Sequence, residues 1–273
     1  MDVGANPLSA PPYEPLLARG CADVLGFEPQ EDAHAALEKA APEHARFVCA
    51  AVGSGEPGIL HQWAKAPGMA SLYPLRGASA RYLGRFRGLA GNALETPVET
   101  RRLDDIHDVP DIDLLKIDVQ GAERDIIRGG ERKLAGAVAI ITEMRFYRLY
   151  RGEPAFGALD LELRRQGFVL HKFLPMARTT LPSRLASRLS RKAKSQIIDG
   201  DAVYIRPLEN IAAWQDDALM RLALCAAGAF GSHDMVLMIL DELERRRRVG
   251  SDLAESYVAA LPADMRSDEV LAP

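Results

Sequence analysis

The stretch Asp113-Leu114-Leu115-Lys116-Ile117-Asp118-Val119-Gln120-Gly121-Ala122-Glu123 decides the fold. Leu114, Leu115, Ile117 and Val119 make a short apolar run with Lys116 and Asp118 set inside it. A buried strand does not carry charges without a reason, because removing them from water is costly. The run breaks at Gly121. An amphipathic helix follows, with Ile126, Ile127, Gly130 and Leu134 on one face. A carboxylate at the C-terminal end of a parallel strand, facing a helix N-terminus, sits where open α/β sheets bind ligands.

The same alternation extends to both sides. Residues 24–27, 46–51, 59–63, 95–101, 137–142, 168–171 and 202–205 read as strands, with Glu28 and Glu143 just beyond two of them. Residues 30–40 read as a helix, and Phe156, Leu159 and Leu163 mark another that stops at Gly167. Strands alternating with helices predict an α/β fold, a mostly parallel sheet with helices on both faces. After Pro207 the pattern is helical only. Leu219, Leu222, Ala223 and Ala226 share one face, and Met235, Ile239 and Leu243 stripe a second helix with Ser232 or Asp234 as its cap. A third short helix is expected over 252–260. The chain thus divides into a sheet domain, 1–206, and a helical C-terminal extension, 207–273.

Bulk properties narrow the function. Of 273 residues, 48% are hydrophobic and 26% charged, as in an ordinary globular protein. The net charge, 34 − 38 = −4, gives no sign of a nucleic-acid partner. No apolar run has membrane-spanning length, and Met1-Asp2-Val3-Gly4 does not read as a leader. Cys21, Cys49 and Cys225 are odd in number and lack metal-type spacing, which suits reduced thiols in a cytoplasmic protein.

Asp2-Val3-Gly4-Ala5-Asn6 places an acid, a glycine and a small polar residue at a strand-to-loop junction. The glycine lets backbone approach a ligand closely. Glu28 follows at about the spacing of a ribose-binding acid, roughly 20 residues on. NAD, FAD and S-adenosylmethionine sites all use this pair. The dinucleotide pattern needs G-x-G-x-x-G. Here Gly4 is followed by Asn6 and Pro7, which favours S-adenosylmethionine and leaves a nucleotide-cofactor oxidoreductase as the lesser alternative.

These residues, with Gly26-Phe27-Glu28-Pro29, Gly68-Met69-Ala70-Ser71-Leu72, Arg101-Arg102-Leu103-Asp104-Asp105 and the 115–123 segment, resemble the FkbM family of methyltransferases. Tyr147–Tyr150 with the following Gly-Glu-Pro, and the run Asp201-Ala202-Val203-Tyr204-Ile205-Arg206, add to the resemblance, which covers residues 1–206. It implies a class I, Rossmann-like, seven-stranded fold and S-adenosylmethionine-dependent O-methylation of a sugar, glycan, glycolipid precursor or related natural product. By position it implies Asp2, Gly4 and Asn6 beside the methionine part, Glu28 on the ribose and Ala51 and Val52 flanking the adenine. Ser71 is a further cofactor or substrate contact. Asp118 with Lys116, Gln120 and Glu123 would lie beside the transferable methyl, and Glu143 would line the same mouth. Two departures stand out. Pro7-Leu8 replaces the family's usual Ile-Gly, and the apolar residues that precede its Asp-Val-Gly are missing, so a short central strand is expected.

Asp118 and Glu143 are the carboxylate candidates for catalysis, with Lys116 beside them, and His171 is the imidazole candidate on the substrate side. Tyr147 and Tyr150 are candidates for an acceptor pocket. A divalent metal at Asp118 stays open, since carboxylates converge there. Each has a structural alternative: Asp118 or Glu123 serving the helix start, Lys116 pairing with Glu143, and His171 and the tyrosines packing. Residues 178–194 carry six basic residues around Leu181, Leu185 and Leu189, the pattern of a basic amphipathic helix that touches an anionic membrane or a phosphorylated acceptor. Its alternative is a solvated face over a core stripe. Arg76–Arg87 with Tyr73, Tyr82 and Phe86 reads as a lid or a polar loop. The expected partner is a small-molecule or glycan acceptor, and the helical tail offers a homodimer contact. A non-catalytic methyltransferase-like binding module is the alternative of a different class.

Overall fold

The computed structural model describes residues 1–267 apart from 87 and 90. The chain forms two compact units, Met1–Pro207 and Leu208–Pro273. Among the described residues the first holds ten strands: β1 Asp2–Val3, β2 Val24–Phe27, β3 Ala45–Val48, β4 Ala51–Val52, β5 Pro57–Gln62, β6 Leu94–Arg101, β7 Leu114–Ile117, β8 Ala139–Arg145, β9 Val169–Thr179 and β10 Gln196–Ile205. Its helices are α1 Glu14–Leu17, α2 Glu31–Ala40, α3 Gly77–Leu83, α4 Glu123–Gly129 and α5 Phe156–Arg165.

Seven strands make the main sheet, in the order β3-β2-β1-β7-β8-β10-β9. β3, β2, β1, β7 and β8 are mutually parallel, and β10 alone runs against its neighbours. The chain moves outward from β1 to β3, then returns to β7 and moves outward the other way. With right-handed crossovers, that reversal puts the helices of the two halves on opposite faces. The expected α/β sheet is therefore present. β4, β5 and β6 form a separate three-stranded sheet, with β6 central.

The core follows from the two periodicities. Val3, Leu115, Ile117 and Ile140 from the sheet meet Ile126, Ile127, Leu159 and Leu163 from α4 and α5. Every one of these side chains is buried. Pairs at i, i+1 and i+4 on a helix cover one stripe, and that stripe closes on the sheet. Central β1 is two residues long, and the ladder continues through Met1, whose amino group donates to the Leu114 carbonyl at 2.8 Å.

Three sequence expectations change. β8 does not stop before Glu143 but runs on to Arg145, because β10 pairs with it as far as Asp199. β9 and β10 are far longer than their apolar tips, since antiparallel pairing extends from Val169 to Thr179. The basic segment after β9 is not an amphipathic helix. It holds only two short 3-10 turns, Ala186–Arg188 and Arg191–Ala193. Leu185 and Leu189 are exposed, so the leucine stripe has no surface to bury against, and a short helix lacking one is not stable. Of the segment read as a lid, α3 is an ordered helix with Leu83 in the core; Arg87 lies outside the described residues.

In the second unit, α6 Asp216–Gly228, α7 His233–Arg245 and α8 Leu253–Ala260 pack in sequence. Arg246 ties this unit together. Its guanidinium donates to the carbonyls of Ile211 and Trp214 and to the carboxylates of Asp216 and Glu242, all within 2.8 Å. No helix among the described residues is long and apolar enough to cross a membrane.

Ile140 is fully buried in β8 between parallel and antiparallel neighbours. Ile140→Ala should cost about 2–5 kcal/mol, read as a lowered urea midpoint at unchanged slope. A midpoint within error of wild type would place the core elsewhere.

Candidate active site

A cavity of about 250 Å³ opens at the carboxyl ends of β1, β2 and β7. Gly4 and Asn6 line it from the loop after β1, Glu28 from the end of β2, Ala51 and Val52 from β4, and Ser71 from a loop. Asp118 and Gln120 line it from the end of β7. The sequence-level candidates therefore converge on one space, although they span over a hundred positions.

Gly4 is where two loops nearly touch. Its φ is +82°, and a Cβ there would lie 2.0 Å from the Asp118 carbonyl oxygen. No side chain fits, and the left-handed conformation favours glycine besides. The backbone is held on both sides: the N–H groups of Gly4 and Ala5 both donate to the Phe27 carbonyl, and Asp118 N–H donates to Val3. Asn6 Oδ1 then accepts the Leu8 N–H at 3.1 Å, turning the loop.

Glu28 is buried, and burial pushes its carboxyl above the usual range. The backbone and side-chain N–H groups of Gln30 donate to Oε1 and pull the other way. Oε2 has no partner among the described residues. Asp2 does not reach the cavity, whose wall begins at Val3. It lies beneath, accepting the Tyr13 hydroxyl at 2.6 Å on Oδ2. Its other oxygen is buried without a hydrogen bond, 3.7 Å from Lys116 Nζ. Strand alternation puts Lys116 and Asp118 on one face, and Nζ lies 3.8 Å from Asp118 Oδ2. Lys116 is thus a buried cation between two acids. Burial opposes its charge, but Asp2 and Asp118 raise its pKa.

Gln120 is the centre of the second half of the site. Its backbone is left-handed, with φ 57°, and Gly121 follows at 119°. The Ser71 hydroxyl, donating to the Gln120 carbonyl at 2.7 Å, holds that conformation. The amide nitrogen donates to Asp118 Oδ1 at 2.9 Å and to both oxygens of Glu143, at 3.2 and 3.1 Å. The amide oxygen accepts from Arg145 at 3.1 Å and lies 2.9 Å from the Tyr150 hydroxyl. Arg145 also reaches Glu143 at 2.7 Å, Asp199, and Glu153 at 3.6 Å. Burial pushes Glu143 well above the carboxylate range; Arg145 opposes this, while Asp118, Glu123 and Asp199 add to it.

Glu123, Tyr147, Tyr150 and His171 do not line the cavity. Glu123 is buried at the start of α4, where its carboxylate accepts the N–H groups of Val119 and Gly121. It fixes the loop between β7 and α4. Tyr150 is in a core cluster with Trp63, Leu75 and Leu83, so it braces Gln120 and lines no open pocket. His171 sits near the start of edge strand β9, level with Val203 and Tyr204. The site end of β9 is near Thr179, so the histidine is at the wrong end of a strand that proved longer than its apolar tip. Tyr147 is half-buried and stacks on Tyr82, ring centroids 5.0 Å apart. Among the described residues, no group of three or more His, Cys, Asp or Glu is arranged to hold a metal ion.

Sequence reading missed Arg145 and Glu153. Arg145 had a signal: it follows Glu143 by two, so alternation places both on one face. Glu153 had one too, as the acid of the Gly-Glu-Pro run that carries part of the family resemblance.

A glycine at a strand-to-loop junction, an acid ending the next strand and a cavity at the carboxyl edge are the arrangement with which open α/β sheets can bind nucleoside ligands. The chain belongs to the methyltransferase FkbM domain family, whose profile matches residues 2–170. It is similar to 2-O-methyltransferase NoeI of Sinorhizobium fredii, 47% identical over 68 residues. That match covers 23% of this chain and 28% of the relative's length. A structural likeness, at 12% identity and a TM-score of 0.37, extends to magnesium protoporphyrin IX methyltransferase from Synechocystis PCC 6803 with bound SAM; it covers 76% of this chain and 68% of that one.

Gly4→Ala should destabilise the fold by about 2 kcal/mol or more, since strain and a backbone clash act together. Gly136→Ala, where a Cβ meets nothing within 4 Å, is the control and should change stability by about 0.5 kcal/mol at most. Equal urea midpoints for the two variants would remove the close approach from the account.

Proposed function

We propose that this protein is an S-adenosylmethionine-dependent O-methyltransferase acting on a hydroxyl of a sugar, glycan, glycolipid precursor or related natural product. The observation that carries the reading is one cavity lined by Gly4, Glu28, Ala51 and Val52 on one side and by Asp118 and Gln120 on the other. The residues suit the cofactor. Glu28 offers an open carboxylate oxygen to ribose hydroxyls, Ala51 and Val52 offer an apolar wall to a base, and the Gly4 loop leaves room at the junction. The relative's name, a 2-O-methyltransferase, supports an oxygen acceptor.

S-adenosylmethionine supplies a methyl group already activated on a positively charged sulfur. The protein has two remaining tasks: to align the acceptor oxygen and to take its proton. Asp118 and Glu143 are the groups for the second task. Gln120 holds both carboxylates from one amide, so it sets their spacing. Lys116, buried behind Asp118, is a positioning residue.

Binding and turnover should separate. Glu28→Ala should weaken S-adenosylmethionine binding about tenfold or more, as loss of a hydrogen-bond acceptor to a ribose implies. Asp118→Ala should leave that affinity within a few-fold while abolishing methyl transfer. Calorimetry and a methylation assay over an acceptor panel check both. Unchanged affinity in the first variant, or full turnover in the second, would sink the assignment.

The raised pKa of Glu143 gives a pH dependence. A proton acceptor must be ionised, so kcat/KM should rise with pH through a limb above the ordinary carboxylate range. Asp199→Asn removes a negative charge beside Glu143 and frees Arg145 to face it. Both effects favour the ionised form, so the limb should move to lower pH. A limb that stays in place assigns it to another group.

A further inference from the structure

Between β9 and β10 the chain carries a concentrated positive charge that the cavity does not use. Arg184, Arg188, Arg191, Lys192 and Lys194 are all exposed, and none lines the cavity. No Asp or Glu occurs between Glu162 and Asp199, so nothing nearby in sequence neutralises them. Among the described residues no ion pair engages any of the five. This is a local excess in a chain whose net charge is −4. Leu185 and Leu189 lie among these cations, 45% and 55% exposed. Their exposure removes the reading in which the leucines cover a core.

The segment is anchored at both ends. Thr179 and Gln196 pair across β9 and β10. The Tyr82 hydroxyl donates to Gln196 Oε1 at 3.2 Å, and Pro182 packs so closely on Gly84 that a Cβ there would lie 2.6 Å from it. β10 then reaches Asp201, opposite Glu143. The segment therefore leaves the sheet at the same edge as the candidate catalytic carboxylates.

We propose that residues 180–195 are a basic strap that docks the protein on an anionic lipid surface. Two features together select this partner. Five exposed cations strung along one loop, none of them lining the cavity between β1, β2 and β7, suit a plane of phosphates better than one small anion. Two exposed leucines between them gain nothing from a soluble phosphate, but can enter the apolar side of a bilayer interface while the cations stay at headgroup level. Docked in this way, the carboxyl edge of the sheet faces the lipid. The inference stands on charge and exposure alone and does not depend on the methyl-transfer reading.

Vesicle co-sedimentation of the full chain tests it, with phosphatidylcholine alone and with added phosphatidylglycerol. Binding is expected only to the anionic vesicles, and it should weaken as salt rises. The triple variant Arg188→Glu, Arg191→Glu, Lys192→Glu should lose about a hundredfold in affinity or more. Leu185→Ser with Leu189→Ser should weaken binding while preserving its salt dependence. These side chains are exposed, and unchanged thermal melts would show that the variants fold. Failure of the wild type to bind anionic vesicles, or wild-type binding by either variant, would overturn the proposal. So would release by inorganic phosphate where chloride at equal ionic strength does not release, since that assigns the cations to a discrete phosphate site.

Discussion

The close approach of Gly4 to the Asp118 carbonyl is the constraint on which the site depends. β1 and β7 are neighbours in the sheet, and their outgoing loops diverge from the same edge. A parallel sheet opens a crevice where successive crossovers leave in opposite directions. Here the crevice is bounded by backbone, 2.0 Å from where a Cβ would stand. Two loops that close cannot move independently. The Gly4 loop leads toward Asn6, and the Asp118 loop leads toward Gln120. Fixing one contact therefore fixes Asn6 and Gln120, both in the cavity wall, in one frame.

The charges in this edge of the sheet explain each other. A lone buried Lys116 would be costly, as would Asp2 or Asp118 beside it without a counter-charge. Together they form a row on one face, acid, base, acid, set by register between β1 and β7. Arg145 does the same for Glu143, Asp199 and Glu153. Such arrangements add little net stability, because desolvation offsets attraction, but removing one member strands the others. What they supply is position: Asp118 at the cavity wall, and Glu143, its pKa raised by burial, held to it through the Gln120 amide.

This balance of local and distant causes decides how much could be read from the chain. β2 was legible because a clean apolar run ends in Glu28. The β7 segment was legible because its charges break an apolar strand at the point where the cavity lies. β9 and β10 were legible only at their apolar tips. Their outer halves carry Lys172, Pro175, Arg178 and Asp199, and only the pairing of one with the other makes them strand. That hidden length misplaced His171. The leucines at 181, 185 and 189 have a helical period, but period alone does not provide a surface to cover. Gly4, Asn6, Glu28, Ala51, Val52 and Ser71 were recognisable by motif, and all of them line the cavity. Arg145 was not, since a buried arginine is uncommon and its partners are scattered from 120 to 199.

Gln120 shows why chemistry, and not charge alone, decides that edge. Its amide has two donor hydrogens and two acceptor lone pairs. The donors go to Asp118 and Glu143, and the acceptor meets Arg145 and Tyr150. Every capacity is used. A glutamate there would add a third carboxylate to two that already repel, and would have no hydrogen to give them. A lysine would satisfy the acids but face Arg145 with a like charge. Only a side chain that donates on one side and accepts on the other can sit between carboxylates and a guanidinium. The left-handed backbone at Gln120, held by Ser71, is the strain accepted to aim it there.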